Sequence, residues 1–361
     1  MRIKIESRAL KYGYSNARVR AMKGLLLNSS TLNDLIRVGT VEGMVELLQR
    51  TGYKNDLSAA SVEYSGSRLI ELAASRNFAR TVQKLLRLTP KEDRPVVRAL
   101  LVKWDLLNLK TIMHARRLKL GYDDVKPYLF PVGGLNEDDF KRMMKAEERE
   151  IFKEVKRTEL GEQMLSTSTA HFSRQMWETF KNAMRNLNTF MQMETIVDAY
   201  MYLLMDKALS DVGGREVSSI RGILKREIDA KNILIIERLK KHNADRKRIT
   251  DSLIRGGTMS ETLVGKLMDA KDLPAVVGLL RLKFPQLTIK DNVDLAALEI
   301  ALEKSVAAQK VLGFHRAILS VGVMVGFLLL KEEEINNLRK IAKGKEFSIP
   351  ENDVREMLVI V

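Results

Sequence analysis

Residues 104–112 read WDLLNLKTI, and a degenerate form of this stretch returns at 228–236 (IDAKNILII) and at 333–341 (EEINNLRKI). Each copy has an acidic residue three positions before an asparagine. Aliphatic residues follow one and four positions after that asparagine, which is the spacing of one face of a helix. The acid and asparagine pairs are Asp105 and Asn108, Asp229 and Asn232, and Glu334 and Asn337.

The correspondence between the copies extends well beyond these nine residues. Aliphatic residues lie 17 and 21 positions after the asparagine in all three copies. The pairs Gly133-Gly134 and Gly256-Gly257 follow the asparagines of the first two copies at almost the same distance. The given sequence ends at about that distance after the third asparagine. We infer three copies of one helical unit, the second of which is longer by about 20 residues.

The composition predicts an all-α protein. Good helix formers dominate the periodic segments, prolines number only seven, and alternating Val, Ile and Thr runs are nearly absent. A period of about 100 to 125 residues exceeds that of solenoid repeats. We therefore predict three similar helical domains at 1–134, 135–257 and 258–361. The first includes an N-terminal helix at 14–27, with Tyr14 and Leu25 on its apolar stripe.

Three similar domains related by rotation would surround a central depression. A pseudo-threefold, funnel-shaped arrangement is accordingly expected. The longest apolar run, residues 317–330, has 14 residues, which is too short to span a bilayer. We interpret it as a buried core helix.

Motifs for catalysis or cofactor binding are missing from the sequence. Without cysteine there are no disulfides, thiolate metal sites or cysteine nucleophiles. None of the four histidines has a second histidine or an acidic pair at ligand spacing. The glycine pairs do not open a phosphate-binding loop and are better read as breaks between helices. We predict no catalytic residue, no cofactor and no metal site.

The charge balance favours an anionic partner without identifying it. Lys and Arg number 61 against 46 Asp and Glu, a net charge of +15, which suits nucleic acid, anionic lipid headgroups or acidic proteins. The strongest basic run, residues 238–248, ends in Arg246, Lys247 and Arg248. It lacks the interleaved aromatic residues that stack on bases. The simpler interpretation of this run is a solvated helix end. For the protein as a whole, the charge leaves a basic helical nucleic-acid-binding protein as an alternative function.

Three stretches together carry a resemblance to a known family. Residues 12–23 read YGYSNARVRAMK, Trp104-Asp105 is followed by NLKTI at 108–112, and Pro131 precedes the GGL of residues 133–135. In these stretches the chain resembles the C subunit of archaeal and bacterial A/V-type ATP synthases, whose vacuolar relative is the d subunit. The resemblance covers the chain from Tyr12 onwards and implies a three-domain, funnel-shaped fold.

That resemblance implies a non-catalytic coupling protein of the central stalk. Such a protein lies on the cytoplasmic face of the membrane and is peripheral to it. It receives the shaft (D/F-type subunits) in its funnel, rests on the proteolipid rotor ring (c/K-type subunits), and serves proton or sodium transport. Its charge would also suit an anionic membrane surface, and no nucleic acid is expected. Our candidate partner-facing residues are Gly133, Gly134, Gly256 and Gly257, as one rim, with Arg246, Lys247 and Arg248.

Overall fold

The computed structural model describes residues 2–147, 150–166, 198, 200–207, 209–210, 215–285, 287 and 294–359. Within these ranges every regular element is helical, so the predicted all-α class is confirmed. Short 3-10 helices lie at Lys91–Asp93 and Lys126–Tyr128, and residues 200–207 are also helical. The α-helices are α1 (Arg2–Lys23), α2 (Ser29–Arg37), α3 (Val41–Leu48), α4 (Lys54–Ala60), α5 (Gly66–Leu88), α6 (Arg94–Arg117), α7 (Tyr122–Val125), α8 (Glu137–Lys145), α9 (Ile151–Val155), α10 (Glu159–Ser166), α11 (Arg215–Lys241), α12 (Arg246–Ser252), α13 (Glu261–Asp269), α14 (Leu273–Leu280), α15 (Leu295–Arg316), α16 (Val321–Glu346) and α17 (Glu351–Met357).

The three sequence copies lie in the long helices α6, α11 and α16, which we call the repeat helices. Their lengths are 24, 27 and 26 residues. The aliphatic residues one and four positions after each asparagine are all buried, as their spacing predicts. They are Leu109 and Ile112, Ile233 and Ile236, and Leu338 and Ile341. Burying one stripe of each helix supplies most of its stability in the folded protein.

The N-terminal helix was predicted at 14–27, and this is wrong at both ends. Helix α1 runs from Arg2 to Lys23. Residues 2–12 contain no glycine or proline and several good helix formers, so nothing prevents the helix from starting early. Gly13 weakens a helix by about 1 kcal/mol relative to alanine but does not end it. The helix ends at Gly24, which favours non-helical backbone.

The buried side of α1 also differs from the predicted one. Tyr14 is 73% exposed and Leu25 lies beyond the helix. Tyr12, Asn16 and Val19 are buried instead, and the Tyr12 hydroxyl donates to Asp93 at 2.8 Å. Both stripes have helical spacing. The contacts of α1 with α16 and α5 determine which of them is buried.

Two hydrophobic clusters form the described core. The larger joins α1–α6 to α16 and contains the aromatic group Phe78, Trp104 and Phe130, with ring centroids 4.5 to 6.3 Å apart. The smaller packs α11 against α12–α15. It thus contains residues from both sides of the predicted boundary at 257. The predicted domain limits therefore do not separate the hydrophobic clusters, and they stay a prediction.

The apolar run at 317–330 is a turn followed by a helix. Residues 321–330 begin α16 and are almost all buried, as predicted. Residues 317–320 form a turn instead, because the Ser320 side chain caps α16 by accepting from the Gly322 amide at 3.2 Å. This turn leaves Ile318 71% exposed. In the described part of the chain, no helix is both long and apolar enough to cross a membrane.

Candidate functional site

The repeat asparagines make the same two hydrogen bonds in all three copies. Each side chain donates to, and accepts from, the backbone of the residue 22 positions later. The distances are 2.7 and 2.8 Å for Asn108 with Phe130, 2.8 and 2.8 Å for Asn232 with Ile254, and 2.7 and 3.0 Å for Asn337 with Val359. These bonds satisfy buried backbone groups where the chain turns back onto its repeat helix.

The acids of the first two copies bind the start of the following unit. Asp105 accepts from the amides of Gly134 at 2.7 Å and Leu135 at 2.9 Å. Asp229 accepts from the amides of Thr258 at 2.7 Å and Met259 at 3.1 Å. In both cases the second amide directly precedes the N-cap residue of the next helix, α8 or α13. Each acid therefore positions the unit that follows it.

The acid of the third copy contacts the segment before α2. Glu334 accepts from the Leu27 amide at 2.5 Å and from the Tyr53 hydroxyl at 2.5 Å, and it pairs with Lys331. Leu27 directly precedes Asn28, the N-cap of α2, so it corresponds to Leu135 and Met259. The three acids thus contact the segments that lead into α8, α13 and α2, respectively.

At two of the candidate glycines, the repeat acid leaves no room for a side chain. A Cβ atom on Gly133 would lie 2.1 Å from Oδ2 of Asp105, and one on Gly257 would lie 2.3 Å from Oδ1 of Asp229. Neither approach is sterically possible without displacing the carboxylate. Gly256 has a φ of +100°, which an L side chain rarely adopts. Packing within the fold therefore explains why glycine occupies these positions. Their contact with a partner stays a prediction.

We expect Gly133→Ala and Gly257→Ala each to destabilise the fold by about 1–3 kcal/mol, because the displaced acid loses its amide bonds. Gly222 is the matched control, since a Cβ on this residue of α11 meets nothing within 4 Å. Gly222→Ala should be neutral or stabilising by up to about 1 kcal/mol. Urea melts of the three variants check this. Equal stability of all three would contradict the steric role.

Burial strongly perturbs the pKa of the first repeat acid. It raises the pKa of Asp105 to about 7, although the amides of Gly134 and Leu135 act in the opposite direction. Asp229, in contrast, has the ammonium of Lys283 at 3.2 Å. The corresponding acids therefore keep the same backbone contacts in different electrostatic surroundings. Both bind backbone amides of their own fold, which is a structural use.

The opposite face of each repeat helix lines one cavity of about 1050 Å³, which we call the central cavity. Positions one before and two after the asparagine line it in all three copies. These positions are Leu107 and Lys110, Lys231 and Leu234, and Asn336 and Arg339. At 100° per residue, they lie about opposite the side that holds the acid, the asparagine and the buried aliphatics. The repeat acids and asparagines therefore face their own units and not the cavity.

Buried ion pairs lie at one end of the central cavity, which we call its closed end. Lys310 of α15 lies 2.8 Å from Glu227 of α11 and 2.9 Å from Glu333 of α16. Burial would lower the pKa of Lys310, but Glu227 and Glu333 outweigh it and raise that pKa. Nearby, Glu332 accepts from the Trp104 ring nitrogen at 2.8 Å and pairs with Lys103 at 3.2 Å. These contacts tie all three repeat helices together.

A second ionic link joins the first two repeat helices halfway along the cavity. Asp198 lies 2.6 Å from Lys110 and 3.0 Å from Lys231. Burial opposes ionisation of Asp198, yet Lys231 and Lys110 outweigh it and lower its pKa. The carboxylate is therefore ionised at neutral pH and holds two cations that would otherwise repel each other.

More exposed basic residues lie at the other end of the cavity, which we call its mouth. Six positions after the asparagine, Arg238 and Lys343 line the cavity with side chains 48% and 33% exposed. Near the closed end, Glu332 is only 2% exposed. The cavity lining as a whole contains nine Lys or Arg and six Asp or Glu side chains. The lining of the cavity therefore carries a net positive charge.

A model of the family described as ATP synthase (C/AC39) subunit matches residues 15–357. This chain belongs to that family. It is 26% identical to the C subunit of the A-type ATP synthase of Methanosarcina acetivorans, over 97% of this chain and 93% of that protein. It is 25% identical to the C subunit of the V-type ATP synthase of Deinococcus radiodurans, over 95% and 90% of the two chains. The A-type C subunit of Haloferax volcanii is also 25% identical, over 96% and 97%.

For this member of the ATP synthase (C/AC39) subunit family, the structure separates the predicted basic residues. Arg248 lines the central cavity. Arg246 pairs with Asp269, and Lys247 is exposed outside the cavity lining. The loops with Gly133-Gly134 and Gly256-Gly257 each contact their own repeat helix. Among the described residues, no group of three or more His, Asp or Glu side chains could hold a metal ion.

Sequence reasoning missed the residues of the cavity. From the sequence, ordinary solvated charges on helix faces are expected at Lys310, Glu227 and Glu333, because the neighbouring residues do not show that the three side chains meet. For one of them, Glu227, the repeat itself gives a signal. Aligning the three copies places Lys103, Glu227 and Glu332 at the same position, five before the asparagine. Charges of both signs at one position of a repeat indicate a shared contact.

Proposed function

We propose that this chain is the non-catalytic central-stalk subunit of a rotary A/V-type ATP synthase. It couples the shaft, formed by D/F-type subunits, to the membrane rotor ring of proteolipid c/K-type subunits, and so serves proton or sodium transport. The observation that carries this proposal is the central cavity, because the same face of all three repeat helices lines it. The names of the relatives, which are C subunits of A-type and V-type ATP synthases, agree with this assignment.

A pseudo-threefold funnel of three similar domains, at 1–134, 135–257 and 258–361, is part of the proposal. It is supported by the cycle of contacts from Asp105, Asp229 and Glu334 to the start of the next unit. A closed cycle of packed helices resists deformation, because protein interiors are close-packed and transmit strain. Torque transmission requires that stiffness.

In this proposal the shaft enters the basic mouth and the closed end faces the ring at the cytoplasmic side of the membrane. Arg248, which lines the cavity, would attract acidic side chains of the shaft. The ion pairs around Lys310 would keep the closed end rigid under load. The cavity would thus act as a socket and not as a catalytic pocket.

Capture of the purified shaft proteins tests the socket. We expect Arg248→Glu to weaken shaft binding about tenfold, because it reverses a charge at the mouth. Lys247→Glu is the matched control, since Lys247 is the neighbouring base outside the cavity lining, and it should leave binding unchanged. Equal loss in both variants, or no binding by the wild-type chain, would refute the socket.

The net charge of +15 keeps nucleic-acid binding as the alternative function. Much of the basic run is already neutralised within the fold, since Arg238 pairs with Glu299, Lys240 with Glu237 and Arg246 with Asp269. We therefore propose that nucleic acid is not a partner. Tight binding to duplex DNA with a steep dependence on salt, without shaft binding, would favour the alternative.

A further inference from the structure

Helix α1 carries an apolar face that packs against nothing in the described structure. From Leu10 onwards, every residue on its outward side is apolar or glycine: Leu10, Gly13, Tyr14, Ala17 and Ala21. Leu10 is 90% exposed. At 100° per residue this face lies opposite the buried stripe of the same helix.

Basic residues border this apolar face on both sides. Lys11 and Arg18 lie along one border and Arg20 along the other. Lys11 also pairs with Asp93 at 2.9 Å, so its position is fixed by the fold. Helix α1 as a whole contains seven Lys or Arg residues and a single acid, Glu6. Large apolar residues between borders of cations are typical of helices that lie in the surface of a membrane.

The turn between α15 and α16 lies next to the Arg20 border of this face. The Arg20 side chain donates to the Ala317 carbonyl at 2.7 Å, and Asn16 exchanges two hydrogen bonds with the backbone of Ser320. Ile318, exposed between these two anchors, therefore lies beside α1. Leu319 has a φ of 45°, an uncommon conformation for a leucine. The fold thus keeps Ile318 exposed, although the backbone of the next residue adopts an unfavourable conformation.

We propose that the outward face of α1, together with Ile318, rests on the surface of an anionic phospholipid membrane. The leucine, the tyrosine and the isoleucine enter the boundary between headgroups and acyl chains, while the bordering cations meet lipid phosphates. Tyrosine is a residue enriched at that boundary. The net positive charge of the helix selects an anionic surface over a neutral one. This inference adds a lipid contact to the function proposed above.

Co-sedimentation with vesicles tests the proposal on the isolated full-length chain. We expect binding to phosphatidylcholine mixed with phosphatidylglycerol in equal parts, and much less to phosphatidylcholine alone. The double variant Leu10→Glu/Tyr14→Glu should reduce partitioning at least about tenfold, because two apolar anchors become charges that anionic lipid repels. Raising the salt concentration should weaken wild-type binding.

Val62→Glu/Leu282→Glu is the matched control, since both residues are almost fully exposed elsewhere on the surface. It adds the same charge and should reduce binding far less. No binding of the wild-type chain to mixed vesicles, or equal loss in both double variants, overturns the proposal. So does loss of binding to solubilised rotor ring with vesicle binding unchanged, which would make the face a protein contact. Shaft capture by the same preparation shows separately whether the proposed function holds.

Discussion

Leu109→Asp is expected to abolish the folded state. Leu109 is fully buried one position after the first repeat asparagine, on the side of α6 that packs into its own unit. Losing the leucine costs about 2–5 kcal/mol, and an unpaired buried carboxylate adds several more. The sum is comparable to the whole stability of a typical domain. We expect insoluble protein, or a helical signal without a cooperative melt in circular dichroism.

The control for this variant lies two residues earlier on the same helix. Leu107 is 36% exposed and lines the central cavity, so Leu107→Asp should alter stability by only about 1 kcal/mol. Ile233→Asp makes the same test in the second copy, where the corresponding side chain is also buried. A wild-type melting temperature for Leu109→Asp would show that the repeat helix does not pack as described.

Lys310→Met should destabilise the protein by about 3–5 kcal/mol. The change removes the cation between Glu227 and Glu333 and leaves two carboxylates in a buried site without their partner. Methionine fills much of the space of the lysine stem, so the loss is electrostatic and not a cavity. Lys304→Met is the control, because Lys304 is an exposed lysine on the same helix. Chemical denaturation of both variants measures the difference.

The pH dependence of that variant gives a second readout. In the wild type, burial opposes ionisation of Glu227, but Lys310 and Lys103 outweigh it and lower its pKa. Its stabilising contribution is therefore present at neutral pH and lost as the pH falls through the lowered pKa. Without Lys310, burial should raise the pKa of Glu227. The stability deficit should then shrink as the pH falls from neutral, and the triple variant with Glu227→Gln and Glu333→Gln should recover part of it. A deficit that does not change with pH would exclude the ionic cause.

Local periodicity predicted the parts of this fold that one helix can specify alone. The three copies, the buried aliphatics such as Leu109 and Ile233, and the all-helical class follow from spacing and composition. The same reasoning selected the wrong side of α1, because Tyr14 and Tyr12 both begin stripes with helical spacing. Which stripe is buried depends on α16, whose residues lie about 300 positions further along the chain.

The sequence by itself therefore determined where the repeat helices lie and which of their sides is buried, since a period of 3.6 residues is a local property. Only the tertiary structure decided what their charges do. Lys310 meets carboxylates on two other helices, and Glu334 binds the Leu27 amide 307 positions away. A charged residue on a helix looks solvated until the elements facing it are known. The contact of α16 with the segment before α2 and the ionic end of the central cavity depend on such distant pairs.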